Sequence, residues 1–318
     1  MNETSCHLGI SILIPTYNRE CLQLVSDLQA QCSVLDGLEW EIIVADDGST
    51  DRRSVEHNRA INRMHGCRYL ERSDNVGRAR IRNTLAREAR LGWLLYIDSG
   101  MRVRDAHFVA RYCDLLARCT LPAGGMLVMY GGYTVAHTQE ANPGVALDCN
   151  LRYRYELRAR QNRDASLRKP HPYRDFHTSN FLATRITMLR HPLDERFVHY
   201  GYEDVLWGDT LEQAGVPLVH VDNPVSFERL EGNLAFVGKT EEALRTLHQF
   251  RHELARCSRM VILAERLQRT RVAYPMVRAL YPLLSLHMKA RLTGGKSGLA
   301  LFGMYKLMYY IHLDFQRG

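Results

Sequence analysis

Three short apolar runs, each followed by polar residues, constrain this chain more than anything else in it. They are Gly9–Pro15 (GISILIP), Trp40–Ala45 (WEIIVA) and Trp93–Ile97 (WLLYI). Each is too short for a buried helix and is apolar almost throughout rather than at alternate positions. That pattern belongs to strands covered on both faces. Helical patterns separate them. Arg19–Cys32 carries Leu22, Val25 and Leu28 at helical spacing, and Asp51–Met64 reads as a helix before a short strand at Cys67–Leu70. Asn75-Val76-Gly77 opens another helix that runs to Ala89. This alternation predicts an α/β fold: a Rossmann-like, mostly parallel central sheet flanked by helices.

The same register places polar groups at the strands' C-terminal ends: Thr16 and Asn18, then Asp46 and Asp47, then Asp98. Open parallel sheets bind ligands at that edge. Plainer readings stand beside the functional ones. Asp46-Asp47-Gly48-Ser49 is also an ordinary turn, with Ser49 or Thr50 capping the next helix. Its functional reading is a carboxylate that meets a nucleotide's base or ribose. Asp98-Ser99-Gly100 is equally a turn, or half of a carboxylate pair holding a divalent metal against a diphosphate. Glu203-Asp204 is an acidic helix start, or a general base beside the aromatic Tyr200 and Tyr202.

Beyond residue 100 the pattern loosens. Leu127–Tyr133 reads as one strand with a glycine bend, Leu151–Arg168 as a polar helix, Phe181–Thr184 and Pro217–Val221 as short strands, and Asp204–Ala214 as a helix. Glu241 onward is helical and Arg-rich, ending in an amphipathic helix over Leu299–Phe315. His220, inside an apolar strand, reads as a core histidine. The Gly294-Gly295-Lys296-Ser297 run lacks the first glycine and the preceding strand of a phosphate loop.

Charge divides the chain. Residues 245–318 hold 13 Lys and Arg against 3 Asp and Glu, a net of +10, whereas residues 1–244 hold 29 against 32, a net of −3. Basic and aromatic residues on amphipathic helices suit an anionic membrane surface; a solvated cap or a homodimer face is the plainer alternative. Nucleic-acid binding finds no aromatic–basic RNA motif or zinc spacing to support it. No stretch reads as an export signal or a membrane span, and the 8 cysteines include no CxxC pair. The expectation is a cytoplasmic chain with reduced thiols, peripheral at the inner face of the plasma membrane if the basic helices bind lipid.

Taken in order, these motifs resemble those of family-two glycosyltransferases of the GT-A fold. SILIPTYNR (11–19), IIVADDGST (42–50), NVGRARIRNTLA (75–86), LLYIDSG (94–100) and GYEDVLWG (201–208) match the family's strands, loops and acceptor motif. FHTSNFLATR (176–185) and DNPVSFERLEGN (222–233) are similar to a bacterial subgroup that builds surface polysaccharides such as capsule and lipopolysaccharide. The resemblance implies a GT-A domain over residues 1–240 and a basic helical extension over 241–318. It implies inverting transfer of a sugar from a nucleotide-diphosphate donor, a UDP-sugar first, to a hydroxyl of a lipid-linked glycan. Asp204 matches the family's base, and Glu203 would orient the acceptor. Pro15, Thr16, Tyr17, Asn18, Asp46, Asp47, Arg82, Asp98 and Ser99 match the donor cradle.

The chain departs from the family where a divalent metal, Mn or Mg, would bind. Gly100 replaces the second acid of the Asp-x-Asp motif and Phe227 replaces a histidine, which leaves Asp98 as the remaining ligand. Arg229 or Arg102 is then expected to neutralise the diphosphate in the metal's place. The alternative is a non-catalytic GT-A module that binds a nucleotide sugar or a partner transferase.

Overall fold

A computed structural model describes residues 8–136, 146–159, 164–227, 230–295 and 298–315. In chain order the strands are β1 (Leu8–Thr16), β2 (Leu38–Asp46), β3 (Cys67–Glu71), β4 (Trp93–Ile97), β5 (Met101–Arg102), β6 (Val128–Tyr130), β7 (Tyr133–Val135), β8 (Asn180–Thr184), β9 (Leu218–His220) and β10 (Val225–Phe227). The helices are α1 (Leu22–Ser33), α2 (Arg52–Asn58), α3 (Arg78–Glu88), α4 (Phe108–Ala117), α5 (Leu151–Arg158), α6 (Ala165–Arg168), α7 (Arg185–Arg190), α8 (Glu203–Gln213), α9 (Asn233–Gln249), α10 (Arg259–Gln268), α11 (Ala273–Thr293) and α12 (Leu299–His312).

The chain divides into two compact units. The first comprises residues 1–134, 161–198 and 207–228, and the second residues 135–160, 199–206 and 229–318. Helix α9 starts at Asn233, eight residues before the expected Glu241, so the anticipated boundary at 240 falls inside a helix.

In the first unit a seven-stranded sheet runs β3-β2-β1-β4-β8-β6-β9. Strands β1 to β4 are parallel and supply the arrangement expected from the sequence. Strand β8 is antiparallel to both β4 and β6. Ile10, Ile12, Leu13, Ile14, Ile42, Ile43 and Val44 are fully buried, so both faces of the central strands are covered. At roughly 1.5–3 kcal/mol for each such side chain, this burial is the sheet's principal stabilisation. The β1–β2 register sets Thr16 beside Asp46, and β2–β3 sets Asp46 beside Glu71, so the polar ends finish level.

Leu127–Tyr133 is two strands rather than one. Strand β6 belongs to the large sheet; β7 leaves it for a three-stranded sheet ordered β5-β10-β7, which the sequence pattern does not reveal. Gly131 lies at the change of sheet. A Cβ there would come within 2.4 Å of both Asn180 Nδ2 and Tyr112 Oη. Those groups form a buried knot: Tyr112 donates to Asn180 Oδ1, and Asn180 donates to Gly132 O and Asn223 O.

In the second unit α5, α9, α11 and α12 pack around Leu151, Phe236, Tyr281, Met288, Leu292, Phe302 and Tyr305. No helix of the described residues is long and apolar enough to cross a membrane.

Candidate functional site

The site grows from the loops after β1, β2 and β4. Asn18 has φ 51, a left-handed conformation that asparagine tolerates better than most residues. From there Asn18 Oδ1 accepts the N–H groups of Thr50 and Asp51, both at 2.8 Å, while its own N–H donates to Ser49 Oγ at 2.7 Å. The first loop thus clasps the second. Ser49 and Thr50 do not cap the following helix as expected; Asp51 does, accepting from Arg53 N–H.

Both acids after β2 are buried and engaged. Asp46 accepts from Ser49 N–H at 2.7 Å and from the Tyr69 hydroxyl. Asp47 accepts from Val76 N–H at 2.9 Å and Gly77 N–H at 3.0 Å, which fastens the loop that opens α3. Burial raises the Asp47 carboxyl above its usual range, and the two N–H donors offset that only in part. Gly48 between these loops has φ +70, and a Cβ on it would lie 2.4 Å from the Asp74 carbonyl carbon. Only glycine fits that approach.

After β4, Asp98 meets two cations. Arg82, 2 % exposed, directs one terminal nitrogen to Asp98 Oδ1, and Arg78 lies 3.5 Å from Oδ2. Residues 78 and 82 are one helical turn apart, so both guanidinium groups share the face of α3 turned to the strand end. The 78/82 spacing was legible; the role of Arg78 was missed. Arg82 Nη1 also donates to Arg78 O at 3.0 Å.

The remaining expected residues fall as follows. Thr16 is buried and donates to Arg19 O, Tyr17 is exposed, and Pro15 and Ser99 are half-buried. Arg102 lies on β5, with its guanidinium 3.8 Å from the Asp27 carboxylate. Phe227 lies on β10 opposite Met101. Arg229 lies outside the described residues. Glu203 and Asp204 open α8 within the second unit, where Glu203 is buried and Asp204 half-buried. Asp204 Oδ1 accepts Val205 N–H at 2.9 Å. Tyr202 just before them holds φ 68, an uncommon conformation for an aromatic residue. Burial raises the Tyr202 phenol well above its ordinary value, with further contributions from Tyr155 and Asp204.

The residues present do not fit a divalent cation. Such ions take several oxygen ligands in a small shell. Asp98 is already held by two guanidinium groups, and Gly100 and Phe227 contribute no donor side chain. Among the described residues no group of three or more His, Cys, Asp or Glu is placed to hold a metal.

Residues 11–106 match the family described as Glycosyl transferase family 2. Among solved structures, the chain resembles a mannosyltransferase from Pyrobaculum calidifontis in complex with GDP-Man and Mn2+. Identity is 15 %, with 95 % of this chain and 84 % of that one covered at TM-score 0.57. Weaker likenesses are TarS residues 1–349 from S. aureus (13 %, 98 % and 92 % covered, 0.47) and glucosyl-3-phosphoglycerate synthase from Mycobacterium tuberculosis (18 %, 79 % and 80 % covered, 0.46). No curated protein sequence matches significantly. The fold is that of GT-A glycosyltransferases, a mostly parallel sheet flanked by helices with a C-terminal helical part.

Proposed function

We propose that this protein is an inverting glycosyltransferase. It moves a sugar from a nucleotide-diphosphate donor, a UDP-sugar first, to a hydroxyl of a lipid-linked glycan in bacterial surface-polysaccharide synthesis. The observation that carries the reading is the level rim of polar loops after three neighbouring parallel strands, within the segment that matches the family. The mannosyltransferase of like fold holds a nucleotide sugar, which supports such a donor here.

In this reading the base and ribose lie against Pro15, Thr16, Tyr17 and Asn18, with Asp46 and Asp47 keeping those loops in shape. Arg82, Asp98 and Ser99 face the diphosphate, and the site works without a tightly held metal. Asp204 takes the proton of the acceptor hydroxyl as that oxygen attacks the anomeric carbon from the side opposite the leaving nucleotide diphosphate. Glu203 orients the acceptor. In this reading residues 1–240 carry the transferase machinery, and the basic residues 241–318, which begin within α9, extend it.

A thermal-shift screen of UDP-, GDP-, CMP- and dTDP-sugars identifies the donor, because a ligand that binds only the folded state raises its stability. Transfer is then assayed with Asp204→Asn. Loss of a general base is expected to lower kcat about 10²–10⁴-fold while donor binding persists. A wild-type protein that binds a donor but transfers to no acceptor would instead be a non-catalytic nucleotide-sugar module.

The same reading assigns the inner, anionic face of the membrane as the partner of the C-terminal helices. Helix α11 buries Tyr281, Met288 and Leu292 on one side, and exposes Met276, Leu280 and Leu283 at helical spacing on another. Leu283 and Leu286 are 77 % and 81 % exposed in a segment of net charge +10. Each cation near an anionic surface contributes about 1 kcal/mol.

A further inference from the structure

Resting on that reading, we infer that Arg19 is the cation that binds the diphosphate of the nucleotide, in the role a divalent metal would otherwise fill. Of the two arginines expected in this role, Arg102 lies 3.8 Å from Asp27, and Arg229 lies outside the described residues. Arg19 differs from the other arginines of the rim. Arg82 and Arg78 meet Asp98, and Arg53 meets Glu20. Arg19 as a residue is half-buried, and its guanidinium has neither a hydrogen bond nor an ion pair among the described residues.

Its position gives that isolation a meaning. The guanidinium carbon lies 3.9 Å from the point a Cβ would occupy on Gly100, two residues beyond Asp98, and among the described residues no other atom outside residues 99–101 comes within 4 Å of that point. An aspartate at 100, as the metal motif requires, would project its carboxylate against Arg19 and capture it. Glycine leaves the space open and the charge available. The missing acid and the unpaired cation are thus one feature. The backbone that launches the side chain is fixed: Arg19 O accepts from Thr16 Oγ1 at 3.2 Å and from Asn58 Nδ2 at 2.8 Å. A guanidinium matches phosphate oxygens in bidentate geometry, and its charge does not titrate in the working range of pH.

The experiment compares binding of UDP, GDP, CDP and dTDP, and of the corresponding monophosphates, to the full chain in EDTA and in Mn2+. The wild type is expected to bind one diphosphate in EDTA, with no gain from Mn2+. Arg19→Ala is expected to weaken that diphosphate at least about tenfold, the loss of one charge-assisted pair, and to change the monophosphate far less. Arg19→Lys restores part of the loss. The thermal midpoint of Arg19→Ala without ligand should equal the wild type's, because the side chain holds nothing in the fold. Unchanged diphosphate binding by Arg19→Ala, or wild-type binding that requires Mn2+, overturns the assignment and leaves the proposed function standing. A wild type that binds none of the four overturns the proposed function, and this assignment with it.

Discussion

The rim of the first unit and the exposed side of α11 in the second treat burial in opposite ways. On the rim, ionisable groups leave water and are compensated one by one. Asp46 takes Ser49 and Tyr69, Asp47 takes Val76 and Gly77, and Asp98 takes Arg82 and Arg78. On α11, large apolar side chains stay in water with nothing over them among the described residues, Leu283 and Leu286 most of all. Buried charge is costly unless paired, and exposed leucine is costly in proportion to its area. Each arrangement therefore persists for a reason. The rim shows its role in what it holds, whereas the helix shows its role in what it lacks.

That contrast makes substitutions at the two places behave differently. The largest expected effect is on the rim. Arg82→Ala leaves Asp98 with the half-exposed Arg78 as its remaining cation among the described residues, and spares the bond from the Tyr96 hydroxyl to the main-chain oxygen of residue 82. Breaking one side of a buried pair costs about 3–5 kcal/mol. Urea unfolding should show that loss, and a cost below about 1 kcal/mol would mean that the pair is solvated.

The next effect is a matter of pH. His220 is buried, with Nδ1 accepting from Arg168 Nε at 2.8 Å and Nε2 2.8 Å from Pro172 O. That pairing fixes the neutral tautomer with its proton on Nε2. Burial lowers its pKa to about 4, and the adjacent Arg168 charge acts in the same direction. The folded pKa is depressed below the unfolded value of about 6.5, so the stabilisation is complete above that value. It is lost as pH falls toward 4, by roughly 2–3 kcal/mol. Urea midpoints at pH 7.5 and 4.5, compared with the same pair for His220→Gln, isolate this contribution. Equal pH dependence in both proteins would contradict it.

Asn18→Ala comes third. It removes the acceptor for two N–H groups and places alanine at φ 51, at a cost of about 1–2 kcal/mol. Its thermal midpoint should fall by several degrees. Because the clasp shapes the donor loops, nucleotide binding should weaken as well.

How much of this the sequence disclosed follows from the range of the interactions. The parallel strands were legible because Ile12 or Val44 announces its burial by its own type and its neighbours'. The rim acids were legible because a strand's end fixes where its next residues lie. Strand β8's reversed direction was not, since Asn180–Thr184 pairs with β4 more than eighty residues away in sequence and nothing local marks it. The split of β6 from β7 depends on space around Gly131 that Tyr112, Asn180 and Asn223 fill together. Arg19 stood in a quoted motif, yet its isolation is visible only once Gly100 is seen beside it.

The smallest effect on stability is expected on α11, and it decides what the apolar face is for. A Leu283→Ser/Leu286→Ser protein should unfold within about 0.5 kcal/mol of the wild type, because both side chains are already in water. Its membrane behaviour should change far more. The wild type should float with vesicles that contain anionic lipid, less so at high salt, since charge draws the segment in and screening weakens that draw. The double variant should lose flotation although its charge is unaltered, because the leucines supply the insertion that charge alone does not. If the wild type floats with neither anionic nor neutral vesicles, the bilayer is not the partner. If the variant floats as well as the wild type, the helix binds by charge alone, and the exposed leucines then require a protein surface to cover them.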